Sequence, residues 1–297
     1  MDYTGKVVVI TGAASGLGAA MAGVFARAGA HLALLDIDAD ALARAAQQWR
    51  DAGTEVLDFP LDVADSDNIA EAIAAIAARF DGIDVLAANV GVQHISALDK
   101  LTRADWDWVF NVNVHGMIET VQQCLPLIRS RRGSRHIVLT ASSSVLTPCE
   151  RIGAYVASKY AVTGYGEVLR QELADEGINV ALMFPSGMIT RHIESSMAAR
   201  PATLAPAHID PEDVEAMKSS LERFSGLDVQ SADYAVRHLL TDLEAGHPYI
   251  ITHGDLNDAL ERYDIAMRDA NERAQRPDAR PIASIIDDGT LQTDTTE

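Results

Sequence analysis

Residues 6–36 restrict what this chain can fold into more than any other stretch. Lys6-Val-Val-Val-Ile-Thr11 reads as a short β-branched strand that runs directly into Gly12-Ala-Ala-Ser-Gly16-Leu-Gly18. A helix from Leu17 to Ala28 follows, closed by Gly29, and His31-Leu-Ala-Leu-Leu-Asp36 is a second strand. Strand, glycine turn, helix and strand in this order make a βαβ unit, which requires a parallel pair and helices to cover it. Glycines at a strand-to-helix turn let the backbone approach a pyrophosphate, and the free N–H groups of the new helix point at it. Gly12, Ser15, Gly16, Leu17 and Gly18 are therefore expected to hold a dinucleotide. Asp36 falls 36 − 18 = 18 positions beyond Gly18, about where a carboxylate meets an adenosine ribose. It would accept from both ribose hydroxyls and repel a 2′-phosphate, and Ala13, Ala14 and Ser15 offer no cation to attract one, so NAD is expected rather than NADP. The competing reading makes Asp36 a cap for the helix that starts near Asp38.

The alternation continues along the chain. Helices are predicted over 39–52 and 66–80, and strands over 55–61 and 83–88. Asp62 and Val63, after the third strand, are placed to reach an adenine ring; Asn89 and Gly91 form a second small-residue turn at the same sheet edge. Residues 103–131 read as one long helical region carrying Trp106, Trp108 and Asn113, a polar residue in an apolar run that needs a buried hydrogen-bond role. His136-Ile-Val-Leu-Thr-Ala141 is a fifth strand, 153–176 a helix, Ile178–Phe184 a sixth strand ending at Pro185-Ser186-Gly187, and 246–252 a seventh. This predicts the α/β class: a single Rossmann-type, doubly wound parallel sheet of about seven strands flanked by helices, with a helical lid and a C-terminal extension. Ligands of such sheets bind beyond the carboxyl ends of the strands, where Gly12, Asn89, Ser142 and Pro185 all fall.

Ser142 ends the fifth strand, and Tyr155 and Lys159 are four residues apart on the helix after it, hence on one face. A free tyrosine titrates near pH 10, and an ammonium one turn away favours the phenolate. Tyr155 is then able to take a proton from a substrate hydroxyl while Ser142 holds the same oxygen. Alone, Tyr-x-x-x-Lys recurs on ordinary helix surfaces; its weight comes from the glycine turn and the strand order around it.

Composition narrows the partners. The chain has 297 residues, 48% of them hydrophobic, and a formal net charge of −19, which argues against nucleic acid or an anionic membrane as partner. The two cysteines, Cys124 and Cys149, are too few for a disulfide framework or metal cluster. No apolar run spans a bilayer and Met-Asp-Tyr-Thr-Gly-Lys has no signal-peptide core, so a cytoplasmic setting is expected.

With these residues in view, the chain resembles the short-chain dehydrogenase/reductase family over roughly residues 4–255. Thr11-Gly12-x-x-x-Gly16-x-Gly18 matches its cofactor motif, and Ser142, Tyr155 and Lys159 match its catalytic set in type, order and spacing. Asn113, in Asn-Val-Asn-Val-x-Gly, matches the asparagine that completes the tetrad, and Thr190 matches the threonine that holds the nicotinamide carboxamide. The resemblance implies hydride transfer between a substrate carbon and NAD. Tyr155 is the general base or acid, Ser142 positions the substrate oxygen, Lys159 lowers the tyrosine pKa and binds the nicotinamide ribose, and Asn113 supports a proton-relaying water. It also implies a homotetramer or homodimer joined through the two long helices. Two positions depart from the pattern: Ala88 replaces the first asparagine of the Asn-Asn-Ala-Gly turn, and Ser186 follows Pro185 where the family has glycine, with Gly187 one place later.

The substrate is expected to meet the segments least bound to the cofactor, and His94, Val145, Cys149 and Met188 are the residues taken to line its pocket. Residues 188–228 carry apolar side chains spaced among charges, as amphipathic helices of a lid would; packing against the domain is the alternative. Cys149 has no activating partner to make it a nucleophile, and His192 and His208 are too far apart to suggest a metal site. The domain is expected to run to residue 276, with an amphipathic helix over 255–276 and a tail, 277–297, that is loose or reaches a neighbouring subunit. The long lid and extension distantly resemble the dehydrogenases of lignin-type aryl-ether alcohols. The sequence thus points to an NAD-dependent secondary-alcohol dehydrogenase with an apolar or aromatic substrate. The alternatives are reduction of an activated double bond or imine on the same fold, or an NAD-binding sensor or scaffold.

Overall fold

A computed structural model describes residues 2–204, 209–224, 226 and 228–274. His208 and the tail 277–297 lie outside the described residues.

Seven strands form one parallel sheet: β1 (Val7–Thr11), β2 (His31–Asp36), β3 (Val56–Pro60), β4 (Val85–Ala88), β5 (Arg135–Thr140), β6 (Ile178–Phe184) and, after the short β7 (Gly187–Met188) and β8 (Val229–Gln230), β9 (Tyr249–Ile251). Their order is β3-β2-β1-β4-β5-β6-β9. The chain builds outward from β1 in one direction and then returns to build from β4 in the other, so the switch point lies between β1 and β4, where such sheets take their ligands. All five residues of β1 are buried, as a strand covered on both faces must be. Its side chains alternate between two cores. Val7 and Val9 join the core packed by α3 (Ser66–Phe80), α5 (Gly116–Ser130) and α6 (Gly153–Glu172). Val8 and Ile10 join the core packed by α1 (Gly16–Arg27) and α2 (Ala39–Asp51) with α9 (Ala232–Ala235) and α10 (Leu239–Glu244).

The expected helix over 103–131 is interrupted. α4 (Arg103–Phe110) starts at a capping box between Thr102 and Asp105. It then passes through one π turn, Asn111–His115, before α5 begins. Such an insertion in a helix marks functional sites, and Asn113 sits at its centre.

At the amino ends of the strands, opposite the switch-point crevice, buried Asp84 ties three elements together. It accepts from Lys6 Nζ at 3.0 Å, the Val7 backbone N–H at 2.9 Å and Arg131 Nε and Nη2 at 3.1 and 3.0 Å.

Among the described residues, 188–228 hold two helices, α7 (His192–Ala198) and α8 (Pro211–Leu221). The first compact unit ends at Asp255 rather than at the expected residue 276, and a second unit starts at Leu256. That unit contains α11 (Asn257–Ala274), which exposes Leu260, Tyr263 and Met267 along one face. Among the described residues no helix is long and apolar enough to cross a membrane, and no cluster of three or more His, Cys, Asp or Glu is placed to hold a metal ion.

Candidate functional site

The glycine turn caps the carboxyl end of β1. Gly12 and Gly16 have φ of +67° and +53°, values that side chains rarely tolerate. A Cβ on Gly18 would stand 2.0 Å from the Gly12 carbonyl oxygen, and one on Gly12 would stand 3.1 Å from Asn89 Nδ2. The backbone is thus bare and tightly folded where a pyrophosphate would approach, which fits a dinucleotide. Asp36, at the end of β2, accepts from the Ala14 N–H at 2.9 Å and from the Asp38 N–H at 3.0 Å. The helix cap is Asp38, which accepts from Ala41 N, so Asp36 braces the glycine turn and does not cap α2. Leu17 is buried in α1; Ser15 is its N-cap residue with extended backbone.

Asn89 staples three strand ends. Its N–H donates to Thr11 Oγ1 at 2.9 Å, its Nδ2 to the Thr11 carbonyl at 3.2 Å, and its Oδ1 accepts from Thr140 Oγ1 at 3.1 Å. With Ala88 buried in β4, these bonds hold the turn without the missing first asparagine. After β3, Val63 is buried while Asp62 is exposed. A Cβ on Gly116 would stand 2.5 Å from the Val63 carbonyl oxygen, so α5 presses directly on this turn.

The residues expected to handle the proton lie beside that cradle. Ser142 follows β5 and its hydroxyl accepts from the Ser144 N–H at 3.1 Å and is hydrogen-bonded to Tyr155. Lys159, 2% exposed, donates from Nζ to the Thr140 carbonyl at 2.8 Å. The same ammonium is 5.6 Å from the Tyr155 ring centre. Asn113 is fully buried; its Oδ1 accepts from Val92 N at 2.7 Å, and its Nδ2 donates to the Val92 carbonyl and to Ser158 Oγ, both at 2.9 Å. Gly91 lies between the two groups: a Cβ there would meet Lys159 Nζ at 3.2 Å and Asn113 Oδ1 at 3.6 Å.

The expected lowering of the Tyr155 pKa by Lys159 is not what this arrangement produces. Burial of the hydroxyl raises it, and the opposing influence is the Ser142 hydrogen bond. Burial also pushes Lys159 down to about 8. Both groups sit in the same water-poor crevice, where desolvation disfavours the charged form of each.

The Pro185-Ser186-Gly187 departure is accommodated by the strand next door. Ser143 N donates to the Pro185 carbonyl at 2.9 Å, Ser186 N to Thr252 Oγ1 at 3.4 Å, and His253 Nε2 hydrogen-bonds the Gly187 carbonyl at 2.8 Å. Downstream, Thr190 reaches the cofactor turn, its Cγ2 3.5 Å from where a Cβ on Gly16 would be.

Of the four residues expected around the substrate, Cys149 clusters with Ile95 and Ile152, against which Tyr155 and Met217 pack. Burial pushes its thiol up to about 11, which suits a wall and not a nucleophile. His94 stands edge-on to Trp108, centroids 6.4 Å apart, and burial lowers its pKa first, Arg200 second. Val145 is buried in the core on the α6 side, and Met188 packs on the core beside α1.

Sequence reasoning missed three participants. Ser158 accepts from Asn113 and donates to the Tyr155 carbonyl at 2.7 Å; its place between Tyr155 and Lys159 was the available signal. Arg200, stacked over Trp108 at 5.1 Å, forms a buried ion pair with Asp105. His192, the first residue of α7, sets its ring edge-on to Tyr155 with centroids 6.0 Å apart.

A family model described as short chain dehydrogenase matches residues 6–201. D-threitol dehydrogenase of Mycolicibacterium smegmatis is 36% identical over 187 residues, 63% of this chain and 71% of that one. C alpha-dehydrogenase of a Sphingobium species is 28% identical over 271 residues, 91% and 87% of the two chains. The crystal structure of a short chain dehydrogenase/reductase from Burkholderia phymatum in complex with NAD is similar over 95% of this chain and 99% of that one. Its TM-score is 0.79 and its sequence identity 30%.

Proposed function

This chain belongs to the short-chain dehydrogenase family of oxidoreductases, and we propose that it interconverts a secondary alcohol and a ketone with NAD. The observation that carries this reading is the convergence of Ser142, Tyr155, Lys159 and Asn113 at the carboxyl ends of β4 and β5, beside the bare glycine turn. Similarity to an NAD complex and to a D-threitol dehydrogenase supports the cofactor and the alcohol.

Gly12, Ser15, Gly16, Leu17 and Gly18 form the pyrophosphate cradle, Asp36 meets the adenosine ribose, and Asp62 and Val63 border the adenine. Asn89, Gly91, Pro185, Gly187 and Thr190 flank the nicotinamide end. Bound there, NAD supplies the hydride acceptor. Tyr155 Oη takes the hydroxyl proton of the alcohol, or returns it to the ketone in the opposite direction. Ser142 Oγ, already bonded to that phenol, turns its hydrogen-bonding capacity to the substrate oxygen. Lys159 places a positive charge beside the phenolate as it forms, when Coulombic attraction in the crevice counts most. Asn113, locked by Val92 and Ser158, holds the π turn open behind Lys159, on the path by which the proton leaves.

Residues 188–228 act as the substrate lid. Gln93 N donates to Ser196 Oγ at 3.0 Å and Glu150 N to Ser220 Oγ at 3.1 Å, and Arg200 pairs with Asp105. These bonds hold α7 and α8 over the crevice, where Ile95, Cys149, Ile152 and Met217 give an apolar wall next to Tyr155.

A panel of secondary alcohols with NAD, followed at the nicotinamide absorbance band, tests the reading. NADH formation is expected. Tight NAD binding without turnover of any alcohol would contradict it, as would turnover only of activated double bonds or imines with NADH.

A further inference from the structure

The catalytic set leaves one polar side chain at the reacting centre without a task. The His192 and Tyr155 rings meet in a T-shaped contact with centroids 6.0 Å apart, and no described residue hydrogen-bonds the imidazole nitrogens. Its place is fixed by the backbone that carries it. Ser196 Oγ and Ser195 Oγ donate to the His192 carbonyl at 2.6 and 3.2 Å, and Ser196 Oγ accepts from Gln93 N. Ser196 is buried, so the register that brings the imidazole to Tyr155 is held from both sides.

The surroundings sharpen the question. Ile95, Cys149, Ile152 and Met217 make the wall beside Tyr155 apolar, and the half-buried His192 ring brings hydrogen-bonding nitrogens to the same tyrosine. Burial, and then the charge of Lys159, lowers the His192 pKa to about 4. A neutral imidazole has one donor and one acceptor nitrogen, a set that suits a hydroxyl, ether or carbonyl oxygen and gives no countercharge to a carboxylate. With the ring centroids 6.0 Å apart, one substrate can present an oxygen to each ring, and the smallest substrate able to do so carries its two oxygens on adjacent carbons.

We propose that His192 is a substrate-positioning residue that hydrogen-bonds a second, uncharged oxygen on the carbon next to the one oxidised. The chain then prefers vicinal diols and related 1,2-dioxygenated alcohols to simple secondary alcohols of the same size. This rests on the alcohol–ketone reading above. A site that recognises a substrate hydroxyl by hydrogen bonding discriminates strongly against the analogue lacking it, because the site's own polar group is left unpaired.

The test compares butane-2,3-diol with butan-2-ol as substrates of the full chain with NAD. The unsubstituted protein should show the higher kcat/KM for the diol. His192→Phe keeps an aromatic ring against Tyr155 but removes both nitrogens; the diol-to-alcohol ratio of kcat/KM should fall by about tenfold or more, mainly through the KM for the diol. His192→Gln restores a donor and an acceptor and should recover part of the ratio. NAD affinity and melting temperature, measured on each variant, report a fold left intact. An unchanged ratio in His192→Phe, or an equal fall for both substrates, would overturn the assignment. If the unsubstituted protein binds NAD yet oxidises neither compound, nor any other secondary alcohol, the alcohol reading itself fails and takes this inference with it.

Discussion

Lys159 is an ammonium at 2% exposure whose hydrogen bond goes to the Thr140 carbonyl, with no carboxylate pairing it among the described residues. A buried charge without a countercharge opposes folding, and the depression of its pKa to about 8 records the same penalty. Lys159→Met should therefore raise the melting temperature, by about 2–4 °C for each kcal/mol recovered in a domain of this size, while removing alcohol oxidation. A calorimetric scan showing a lower melting temperature would mean that the ammonium stabilises the fold. At this scale the sequence was legible where spacing alone carries meaning: Ser142, Tyr155 and Lys159 are set by a strand end and one helical turn. It was not legible where the balance of burial against charge decides. The direction of the Tyr155 shift depends on how deeply the crevice excludes water, and no local spacing encodes that. His192 was hidden for a related reason: its meeting with Tyr155 is created by the docking of α7 through Ser196 and Gln93.

Among the elements, the glycine turn is the most tightly constrained. Gly18→Ala would drive a methyl group to 2.0 Å from the Gly12 carbonyl oxygen, so the start of α1 must shift. NAD affinity should fall by about tenfold or more, since cradle and helix N-terminus move together; an isothermal titration with unchanged affinity would show that the turn does not hold the cofactor. Asp36 accepts from Ala14 N in that same turn. Asp36→Ala should narrow the ratio of NAD to NADP affinity, and an unaltered ratio would remove Asp36 from the ribose site. Strand–turn–helix order made this element readable in advance. The π turn at 111–115 was not, because the apolar pattern of Val109-Phe-Asn-Val-Asn-Val-His-Gly116 is the same whether the hydrogen bonds run to the fourth or the fifth residue.

For the molecule as a whole, the parallel seven-strand order followed from alternation and the βαβ rule, whereas the boundary at Asp255 did not, since helical periodicity continues past it. Stability against acid is a property of this scale. Burial lowers His136 and His192 to about 4 each, with Lys6 and Lys159 respectively adding to the effect. Their folded-state values lie below the ordinary histidine value near 6.5, so between roughly pH 6.5 and 4 the unfolded chain binds more protons than the folded one. Stability should therefore fall with decreasing pH across that window. His136→Gln, which keeps a polar group for Ser134, should flatten the slope of unfolding free energy against pH. An unchanged slope would mean that His136 does not contribute.

The proposed chemistry depends on the phenol of Tyr155, and the most direct measurement is paired: turnover of a secondary alcohol and NAD affinity, both in Tyr155→Phe. Loss of general base catalysis should lower kcat by about 10³-fold or more, with NAD affinity within about threefold of the unsubstituted protein. Turnover retained to within about tenfold would contradict the assignment of Tyr155 as the group that moves the proton.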